Sequence, residues 1–455
     1  MRATNSQAAN LNLNLINTSP APTSLRAALW DINGVLRGKR LPATSLSKLD
    51  RGGLRMPLSI AGMDIWGADI ADNPAVFASG DADGLCEPTG RGPVPLPWLS
   101  HPTSLVPVWL REEGGAPYLG DPRRVLAHVL ERYHKRGWRP VVATELEFYL
   151  VARTPAGIAP AASPVTGRTA NGPGAMAMAE IDDFSGFIEE VFAAGELQGL
   201  ALDAAISENG AGQFEINLMH SDDALRAADD ALLFKLLVKG IARKHGFEAT
   251  FMAKPFAGMA GSGLHVHFSL IDEAGCNLFD DGGPLGSDLL RNAVAGLQAH
   301  MVDQTPIFAP HFNSYKRLQP NTYAPVRANW GYENRMTALR VPGGPAVARR
   351  IEHRVSGADA NPYLVLAAIL AAAFDGIERA LMPTKPASAA GPADPVAELP
   401  AEWRGAIEGF AASTAMAEMF PAQFRECFLA VKRQELTTFA TRITSFERET
   451  YLAGA

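Results

Sequence analysis

Strict alternation of apolar and polar side chains is clearest just after two glycines, Gly261 and Gly263. Such alternation predicts a β-strand, because successive side chains of a strand point to opposite faces. One face of this strand carries Leu264, Val266 and Phe268. The other face carries His265, His267 and Ser269. One histidine in a strand is more often structural than a ligand, but two histidines and a serine on one face predict a site if other strands carry matching groups.

The rest of the chain divides into a β-rich part and a larger mixed part. An apolar strand over 27–32 runs into the turn signal Asn33-Gly34, and the turn-rich stretch 56–118 predicts further short strands. Beyond the helix-start pair Asp121-Pro122, helical and strand periods both occur. The predicted helices cover about 122–137, 181–197, 224–245, 285–302 and the stretch after Asn361-Pro362, and the predicted strands lie within 140–151, 200–217 and 250–269. We therefore expect an α+β protein with one domain at 25–118 and a second at 119–455.

Composition narrows the class of protein. A chain of 455 residues, 47% of them hydrophobic, is long enough for two domains. The net charge of −7 and the lack of a long basic block argue against nucleic acid or a membrane surface as a partner. Three scattered cysteines indicate a reducing compartment. Because no apolar run has membrane-spanning length and residues 1–24 lack a signal-peptide core, we expect a cytoplasmic protein with a disordered tail at 1–24.

Carboxylates recur on the predicted strands. Glu145 and Glu147 share a strand face, where their mutual repulsion is costly unless bound cations compensate it. Glu208 and Glu215 flank a glycine loop that would let both turn inward, although acids beside such a loop are often simply solvated. Charges alternate along one further strand face, at Arg350, Glu352 and Arg354. Taken alone, that last pattern is equally consistent with a plain ion-pair ladder.

The combined set indicates phosphate chemistry. Five carboxylates with His265 suit hard divalent ions such as Mg²⁺ or Mn²⁺ better than zinc. Acids together with several arginines are typical of phosphoryl transfer, where metals and guanidinium groups stabilise the spreading negative charge. The sequence contains neither a Walker-type loop nor a Rossmann glycine fingerprint, so a nucleotide would have to be held differently.

At this point the chain resembles the glutamine synthetase family over nearly all of its length from about Leu25. The motifs that carry the resemblance are Asp31-Ile-Asn-Gly34 with Arg37-Gly38-Lys39, Glu145-Leu-Glu147, Glu208 to Glu215, Lys254-Pro255 with Gly261 to His267, Asn313 to Pro320, Asn334-Arg335, and Arg350 to Arg354 with Asn361-Pro362-Tyr363. The resemblance implies a small N-terminal β-grasp domain before a larger catalytic domain, with a curved antiparallel sheet flanked by helices. It also implies a homo-oligomer, a dodecamer of two hexameric rings with active sites between subunits.

The resemblance further implies an ATP-dependent reaction with two or three Mg²⁺ or Mn²⁺ ions per site. L-glutamate would be phosphorylated to γ-glutamyl phosphate, and an amine would displace the phosphate. One metal would be held by Glu147, Glu208 and Glu215, and a second by Glu145, His265 and Glu352. ATP would contact His267, Ser269 and Arg350, and glutamate would contact Gly261, Arg317 and Arg354. Arg335 and Arg340 would face the transferring phosphoryl group, and Asp64 would deprotonate the incoming amine in the neighbouring subunit.

One departure from the family pattern bears on the amine. Glutamine synthetases typically place a glutamate of the ammonium site where this chain has Tyr323, and an asparagine where it has Ala260. A phenol does not ionise readily at neutral pH, but its ring can support an alkylammonium through cation–π and apolar contact. The differences are similar to those of glutamate–amine ligases, especially γ-glutamylpolyamine synthetases. Trp66 and Trp330 are further candidates to line the space for the amine.

The sequence therefore predicts ligation of glutamate to an organic amine, with putrescine or another polyamine first. A true glutamine synthetase that uses ammonium, with Tyr323 as neutral drift, stays open. So does a ligase for a small monoamine such as methylamine, ethanolamine or isopropylamine. A non-catalytic regulatory homologue is a further alternative, although every expected ligand and phosphate-facing arginine is present.

Overall fold

The computed structural model describes residues 21–50, 52–71, 73, 76, 80–155, 157–170, 174–320, 322–387 and 395–455. Most of the predicted disordered tail, residues 1–20, lies outside these ranges. The first strand begins at Ser24, and the amides of Thr23 and Ser24 both donate to the carbonyl of Pro102. Across the described ranges, each helix is too short or too polar to cross a membrane.

The first sheet joins six strands of the N-terminal part. In chain order they are β1 (Ser24–Trp30), β2 (Leu36–Pro42), β3 (Arg55–Pro57), β4 (Asp83–Pro88), β5 (Val94–Pro95) and β6 (Thr103–Arg111). The order in space is β2-β1-β6-β4-β3 with β5 beside β6, and β1 runs parallel to β6. The predicted turn lies in the β1–β2 hairpin, where Gly34 has a φ of 71° that favours glycine.

The two faces of the first sheet enter different cores. Alternate residues of β1 and β6 form a small core with Met56 and Cys86; these are Leu25, Ala27, Leu29, Val106, Val108 and Leu110. Other residues of the same strands, including Trp30 and Leu105, join the main core of the chain. The first sheet is therefore packed against the larger part and does not stand alone.

The second sheet has nine strands and forms the centre of the larger part. They are β7 (Arg139–Thr154), β8 (Gly157–Pro160), β9 (Leu202–Ser207), β10 (Gln213–Ser221), β11 (Glu248–Thr250), β12 (Leu264–Ile271), β13 (Trp330–Tyr332), β14 (Leu339–Val341) and β15 (Ile351–His353). The order is β13-β14-β15-β12-β7-β10-β9, with β8 and β11 also paired to β7. All neighbours are antiparallel except β13 and β14, which are parallel. The α+β prediction is confirmed, with this one parallel pair as a departure from a fully antiparallel sheet.

The described ranges contain helices on one side of this sheet and at both ends of the chain. They are α1 (Leu46–Asp50), α2 (Pro122–His134), α3 (Met178–Asp183), α4 (Ser185–Gln198), α5 (Ala224–Lys244), α6 (Asp288–Phe308), α7 (Pro362–Glu378), α8 (Trp403–Ala412), α9 (Thr414–Met419), α10 (Ala422–Thr441) and α11 (Ser445–Tyr451). The predicted starts at Asp121 and Asn361 are N-caps, whose side chains accept hydrogen bonds from the amides of Arg123 and Tyr363.

The predicted helix over 181–197 is two helices, α3 and α4. Phe184 interrupts them with a non-helical φ of −104° and ψ of 15°, and its ring packs edge-on against Phe214 at 5.1 Å. Packing of this buried aromatic residue therefore overrides the helical period of the sequence.

The second sheet separates a core from a site. Its helix-facing side is apolar and fully buried, with Leu146 and Phe148 on β7, Phe214 and Ile216 on β10, and Val266 on β12. The residues between them on the same three strands include the predicted ligands, and these point to the opposite face.

Candidate active site

The register of three neighbouring strands brings the predicted ligands together. On the central strand β7, Glu145 lies opposite His265 of β12, and Glu147 lies opposite Glu215 of β10. Directly opposed residues in an antiparallel pair have side chains about 5 Å apart on the same face. The apolar–polar alternation of each strand and the pairing between strands together create one charged surface.

The first predicted metal set is assembled. Ligand atoms of Glu147, Glu208 and Glu215 all lie within 4.8 Å of one another. Glu208 reaches this position because the chain turns between β9 and β10, where its amide donates to the carbonyl of Gln213 at 2.8 Å. The Gln213 side chain donates in turn to Gly261 O at 3.0 Å. The glycine loop thus brings inward two acids that a straight strand would have separated.

The electrostatics of this set favour a cation. Burial, followed by the charges of Glu145, Glu147 and Glu208, raises the pKa of Glu215 to about 9. Burial and the charge of Glu147 raise the pKa of Glu208 to about 7. Glu208 and Glu215 therefore resist ionisation, and a bound divalent ion would reverse that preference.

Glu145 is the centre of the second set. Its carboxylate lies 3.2 Å from His265 Nδ1 and 2.9 Å from His267 Nε2. Burial acts to raise the pKa of Glu145, but the hydrogen bonds with both histidines outweigh it and hold the pKa well below its ordinary range. The carboxylate is therefore ionised and available to a metal.

The structure divides the second predicted set differently. Glu145 forms one potential ligand group with Glu215 and His265 and another with His267 and Glu352, each within 4.8 Å. The reason is register, since Glu352 of β15 lies opposite His267 and not opposite His265. Arg350 Nε donates to His267 Nδ1 at 3.2 Å, and His267 Nε2 faces Glu145. Because both ring nitrogens of His267 are engaged, His265 is the better placed of the two as a ligand.

Arginines enclose Glu352. Arg354 forms an ion pair with one carboxylate oxygen, and Arg340 Nη1 donates to the other at 2.8 Å. Burial opposes ionisation of Glu352, but Arg354, His265 and His267 lower its pKa below the ordinary value. Arg340 is held on its other side by Glu333 at 3.0 Å. The alternating charges of this strand therefore lie beside His265 and His267, and they are more than an isolated ion-pair ladder.

A cavity of about 980 Å³ opens beside this group. It is lined by all three residues predicted to contact ATP, namely His267, Ser269 and Arg350. Glu145 and Asn217 reach it from β7 and β10, which continues the cavity to the second metal set. The volume suits a nucleoside polyphosphate, and the lining combines the basic groups Arg226 and Arg350 with acids such as Asp203 and Asp222.

The residues predicted to bind glutamate surround the glycine loop. A Cβ on Gly261 would lie 2.7 Å from Ala253 O and 2.8 Å from Arg317 Cγ, so only glycine fits there without a shift. The Gly263 amide donates to Glu147 Oε2 at 2.8 Å. Buried Arg317 donates to Val355 O at 2.7 Å, and Arg354 takes part in the Glu352 ion pair. The loop and the first metal set are therefore hydrogen-bonded to each other.

The catalytic candidates are less closely gathered. Asp64 lies in the N-terminal part, where its carboxylate accepts hydrogen bonds from the amides of Trp66 and Ala68 and from Gln434 on α10. Arg335 is exposed but near enough to Glu208 for its charge to act on that group. Tyr323 lies on a loop before β13 and is 73% exposed.

Of the two candidate tryptophans, Trp330 is unsuited to contact an amine. It is buried, and its Nε1 donates to Thr384 O at 2.7 Å. Trp66 is half-exposed and packs on Phe439 of α10 with ring centroids 5.5 Å apart.

Three residues that shape the site escaped the sequence analysis. Glu333 braces Arg340, Tyr149 donates from its hydroxyl to Ala260 O at 2.8 Å, and Asn217 lies opposite Glu145 on β10. Asn217 Oδ1 is buried and has no hydrogen-bond partner within the described part of the chain. Strand alternation places Tyr149 on the face of Glu145 and Glu147, a signal that was available, whereas Glu333 lies on a turn where alternation gives no information.

The donor set is thus oxygen-rich with imidazole, and it fits hard divalent ions such as Mg²⁺ or Mn²⁺. Beside it lie a cavity of nucleotide size and fixed guanidinium groups. Together these features can neutralise a polyphosphate and hold a carboxylate close to it.

Comparison with known proteins agrees with this chemistry. The family model described as glutamine synthetase, catalytic domain, matches residues 119–451. The gamma-glutamylputrescine synthetase of Escherichia coli K12 is 36% identical over 430 residues, which cover 94% of this chain and 91% of that protein. A glutamate–isopropylamine ligase from a Pseudomonas species is 34% identical and covers 94% of this chain and 95% of its own length. A solved structure titled GmaS/ADP complex superposes with a TM-score of 0.82 at 29% identity, covering 95% of this chain and 97% of that one.

Proposed function

The chain belongs to the glutamine synthetase family, and from that premise we propose that it is an ATP-dependent ligase that joins the γ-carboxyl of L-glutamate to an organic amine. The observation that carries the proposal is the cavity lined by His267, Ser269 and Arg350, which reaches Glu145 and, through Glu145, the neighbouring ligand groups. The similarity to a putrescine and an isopropylamine ligase supports an amine larger than ammonium. We propose putrescine or another polyamine as the first candidate.

Each part of the site has a role in this reaction. Two or three divalent ions would be held by Glu147, Glu208 and Glu215 and around Glu145, where His265 and, from beside His267, Glu352 would be the further ligands. There the ions would neutralise the phosphates of ATP. Arg335 and Arg340 stabilise the charge on the transferring phosphoryl group, and Gly261, Arg317 and Arg354 orient glutamate. The glutamate γ-carboxylate attacks the terminal phosphorus and ADP leaves. The amine nitrogen then attacks the γ-carbonyl carbon and phosphate departs.

The amine must lose a proton before it attacks, and we assign that step to Asp64 of a neighbouring subunit. In its own chain, the hydrogen-bond partners of this carboxylate are Trp66, Ala68 and Gln434, none of which belongs to the carboxylate–histidine sets. A ring assembly that brings the N-terminal part of one subunit to the site of the next would resolve this separation. We therefore propose a dodecamer of two hexameric rings in the cytoplasm, with a β-grasp domain at 25–118 and a catalytic domain at 119–455.

Tyr323 is proposed to select the amine. Its ring is mostly exposed, so it is free to contact a ligand, and it offers an apolar face where a carboxylate would favour bare ammonium. An organic amine gains contact with that face, whereas ammonium gains none.

An amine panel tests the proposal. The purified protein is supplied with ATP, Mg²⁺ and glutamate, and phosphate release is measured with ammonium, methylamine, ethanolamine, isopropylamine and putrescine at equal concentrations. We expect putrescine or a related amine to give the highest kcat/KM, with mass spectrometry identifying the γ-glutamylamide. A clear preference for ammonium would make the protein a glutamine synthetase, and release without any acceptor would point to ATP hydrolysis only.

A further inference from the structure

The stretch 174–180, called here the methionine segment, is hydrogen-bonded to the loop that carries Glu208. The amide of Met176 donates to Ser207 O at 2.8 Å, and Ser207 Oγ donates to Gly174 O at 2.9 Å. At the other end of that loop, the Gly212 amide donates to Glu180 Oε1 at 2.9 Å. The methionine segment therefore holds both sides of the loop that presents the first metal set.

The apolar side chains of this segment face solvent. Met176 and Met178 are 72% and 67% exposed, although their segment is hydrogen-bonded to the loop that carries Glu208. Met176 also has a φ of 61°, a left-handed conformation that costs a non-glycine residue about 1–2 kcal/mol. Its amide bond to Ser207 maintains that conformation. Packing within the described part of the chain does not explain why two long apolar side chains are presented here.

The chemistry of the site supplies an explanation. In the proposed reaction the acceptor nitrogen approaches the activated glutamate beside the first metal set, and the methionine segment is hydrogen-bonded to the loop that carries Glu208 of that set. An amine with a carbon chain would bring that chain to the same region. Methionine is unbranched and polarizable, and it adapts its shape to aliphatic groups of varied length. Ammonium has no such chain and is too small to benefit.

From this geometry we propose that Met176 and Met178 form the apolar wall against which the carbon chain of an aliphatic amine packs. They are specificity-determining residues that discriminate organic amines from ammonium and longer chains from shorter ones. This inference rests on the proposed function and deepens it by naming residues that select the aliphatic acceptor.

A chain-length series with matched variants tests the wall. Wild type, Met176→Gln, Met178→Gln and the double variant are assayed with ammonium and with ethylamine, propylamine, butylamine and putrescine. Glutamine is unbranched like methionine, so the backbone strain is unchanged while the apolar surface is lost. We expect wild-type kcat/KM to rise up to about fourfold per added CH₂ and the double variant to lose most of that slope. Ammonium turnover should stay within about twofold of wild type.

The control is Met382→Gln, which removes an equally exposed methionine, 70% accessible, from a segment beside α6. It should leave the whole series unchanged. Equal losses for ammonium and alkylamines, or an unchanged slope in the double variant, would overturn the wall. So would a change in assembly mass by light scattering, because it would make these methionines a subunit contact. Failure of the proposed function itself is visible earlier, as a wild type that accepts ammonium alone.

Discussion

At the metal end of the site, Glu145, Glu147 and His265 lie on paired strands, whereas at the proposed amine end Tyr323 and Met176 lie on loops. The strand residues are held by register and by hydrogen bonds such as Gly263 to Glu147. The side chains of Tyr323 and Met176 on these loops are 73% and 72% exposed. A reaction that a whole family performs needs a site with fixed geometry. The choice of acceptor needs surface residues that can change without disturbing that geometry.

This contrast makes a prediction about how variants sort. Changes at the metal end should reduce activity with all amines alike, because phosphoryl transfer precedes the choice of amine. Changes at the amine end should alter the ratio between amines while phosphoryl transfer persists.

Glu147→Gln should give the largest effect. It removes a charge from the first metal set but retains an oxygen that can accept from the Gly263 amide. We expect kcat to fall on the order of 10³-fold, equally for ammonium and putrescine. Phosphate release with each amine measures this, and Glu190→Gln, which alters an ion pair with Lys244, is the control. An unaffected Glu147 variant would show that this carboxylate holds no metal needed for the reaction.

Tyr323→Glu should give the next largest effect, and it should act on the ratio. A carboxylate on this loop would stabilise ammonium and lose the apolar face offered to a carbon chain. We expect the ratio of kcat/KM for ammonium to that for putrescine to rise about 10- to 100-fold. Tyr323→Phe keeps the ring and should behave as wild type. If both variants lower activity with every amine equally, Tyr323 belongs to the metal end in function.

The sequence predicts the part of this contrast that depends on alternation within a strand, but not the part that depends on contacts between distant segments. Alternation along single strands placed Glu145 with Glu147 and His265 with His267, because a strand has a period of two. The pairing of Glu352 with His267 depends on the register between strands distant in sequence, which alternation does not contain. The tie between Met176 and Ser207 depends on a loop contact across 31 residues and has no periodic signal. The role of Tyr323 was suggested by family resemblance and not by its own surroundings.

The pH dependence of the metal-free protein should sharpen the contrast further. Burial raises the pKa of Glu215 to about 9 in the folded state, above its ordinary value near 4.5. Between those pH values the folded state binds more protons than the unfolded state, so stability decreases as pH rises. Mg²⁺ binding should release protons, and its affinity should increase up to about tenfold per pH unit between about pH 7 and 9.

Thermal unfolding in EDTA at pH 6 to 9 and titration calorimetry in two buffers of different ionisation enthalpy measure these effects. Glu215→Gln isolates the contribution, since it removes the group whose pKa is raised to about 9 and should weaken the dependence on pH above about pH 7, the pKa of Glu208. Tyr323→Glu should leave the change of Mg²⁺ affinity with pH unaltered, because the loop that carries Tyr323 lies outside the metal sets. A metal affinity independent of pH would contradict a protonated Glu215.

Glu333→Gln should give the smallest effect, because Glu333 stands where the two kinds of structure meet. It lies on the turn between β13 and β14 with a φ of 51°, yet its carboxylate accepts from Arg340 Nη2, and Arg340 also binds Glu352. Glutamine at position 333 keeps an acceptor for the Gly343 amide but loses the negative charge that pairs with Arg340. An exposed ion pair is worth about 0.2–1 kcal/mol, so we expect kcat to fall no more than about fivefold, equally for all amines.

Glu398→Gln, which breaks the exposed pair with Arg327 elsewhere on the surface, is the matched control and should leave kcat unchanged. The KM for amines should not move in either variant, because Arg340 is proposed to face the phosphoryl group and not the acceptor. A change in the ratio between amines for Glu333→Gln would show that this turn couples the two ends. A fall of a hundredfold or more would instead show that Arg340 depends on Glu333 for its position, and that the fixed geometry of the metal end extends beyond the strands onto this turn.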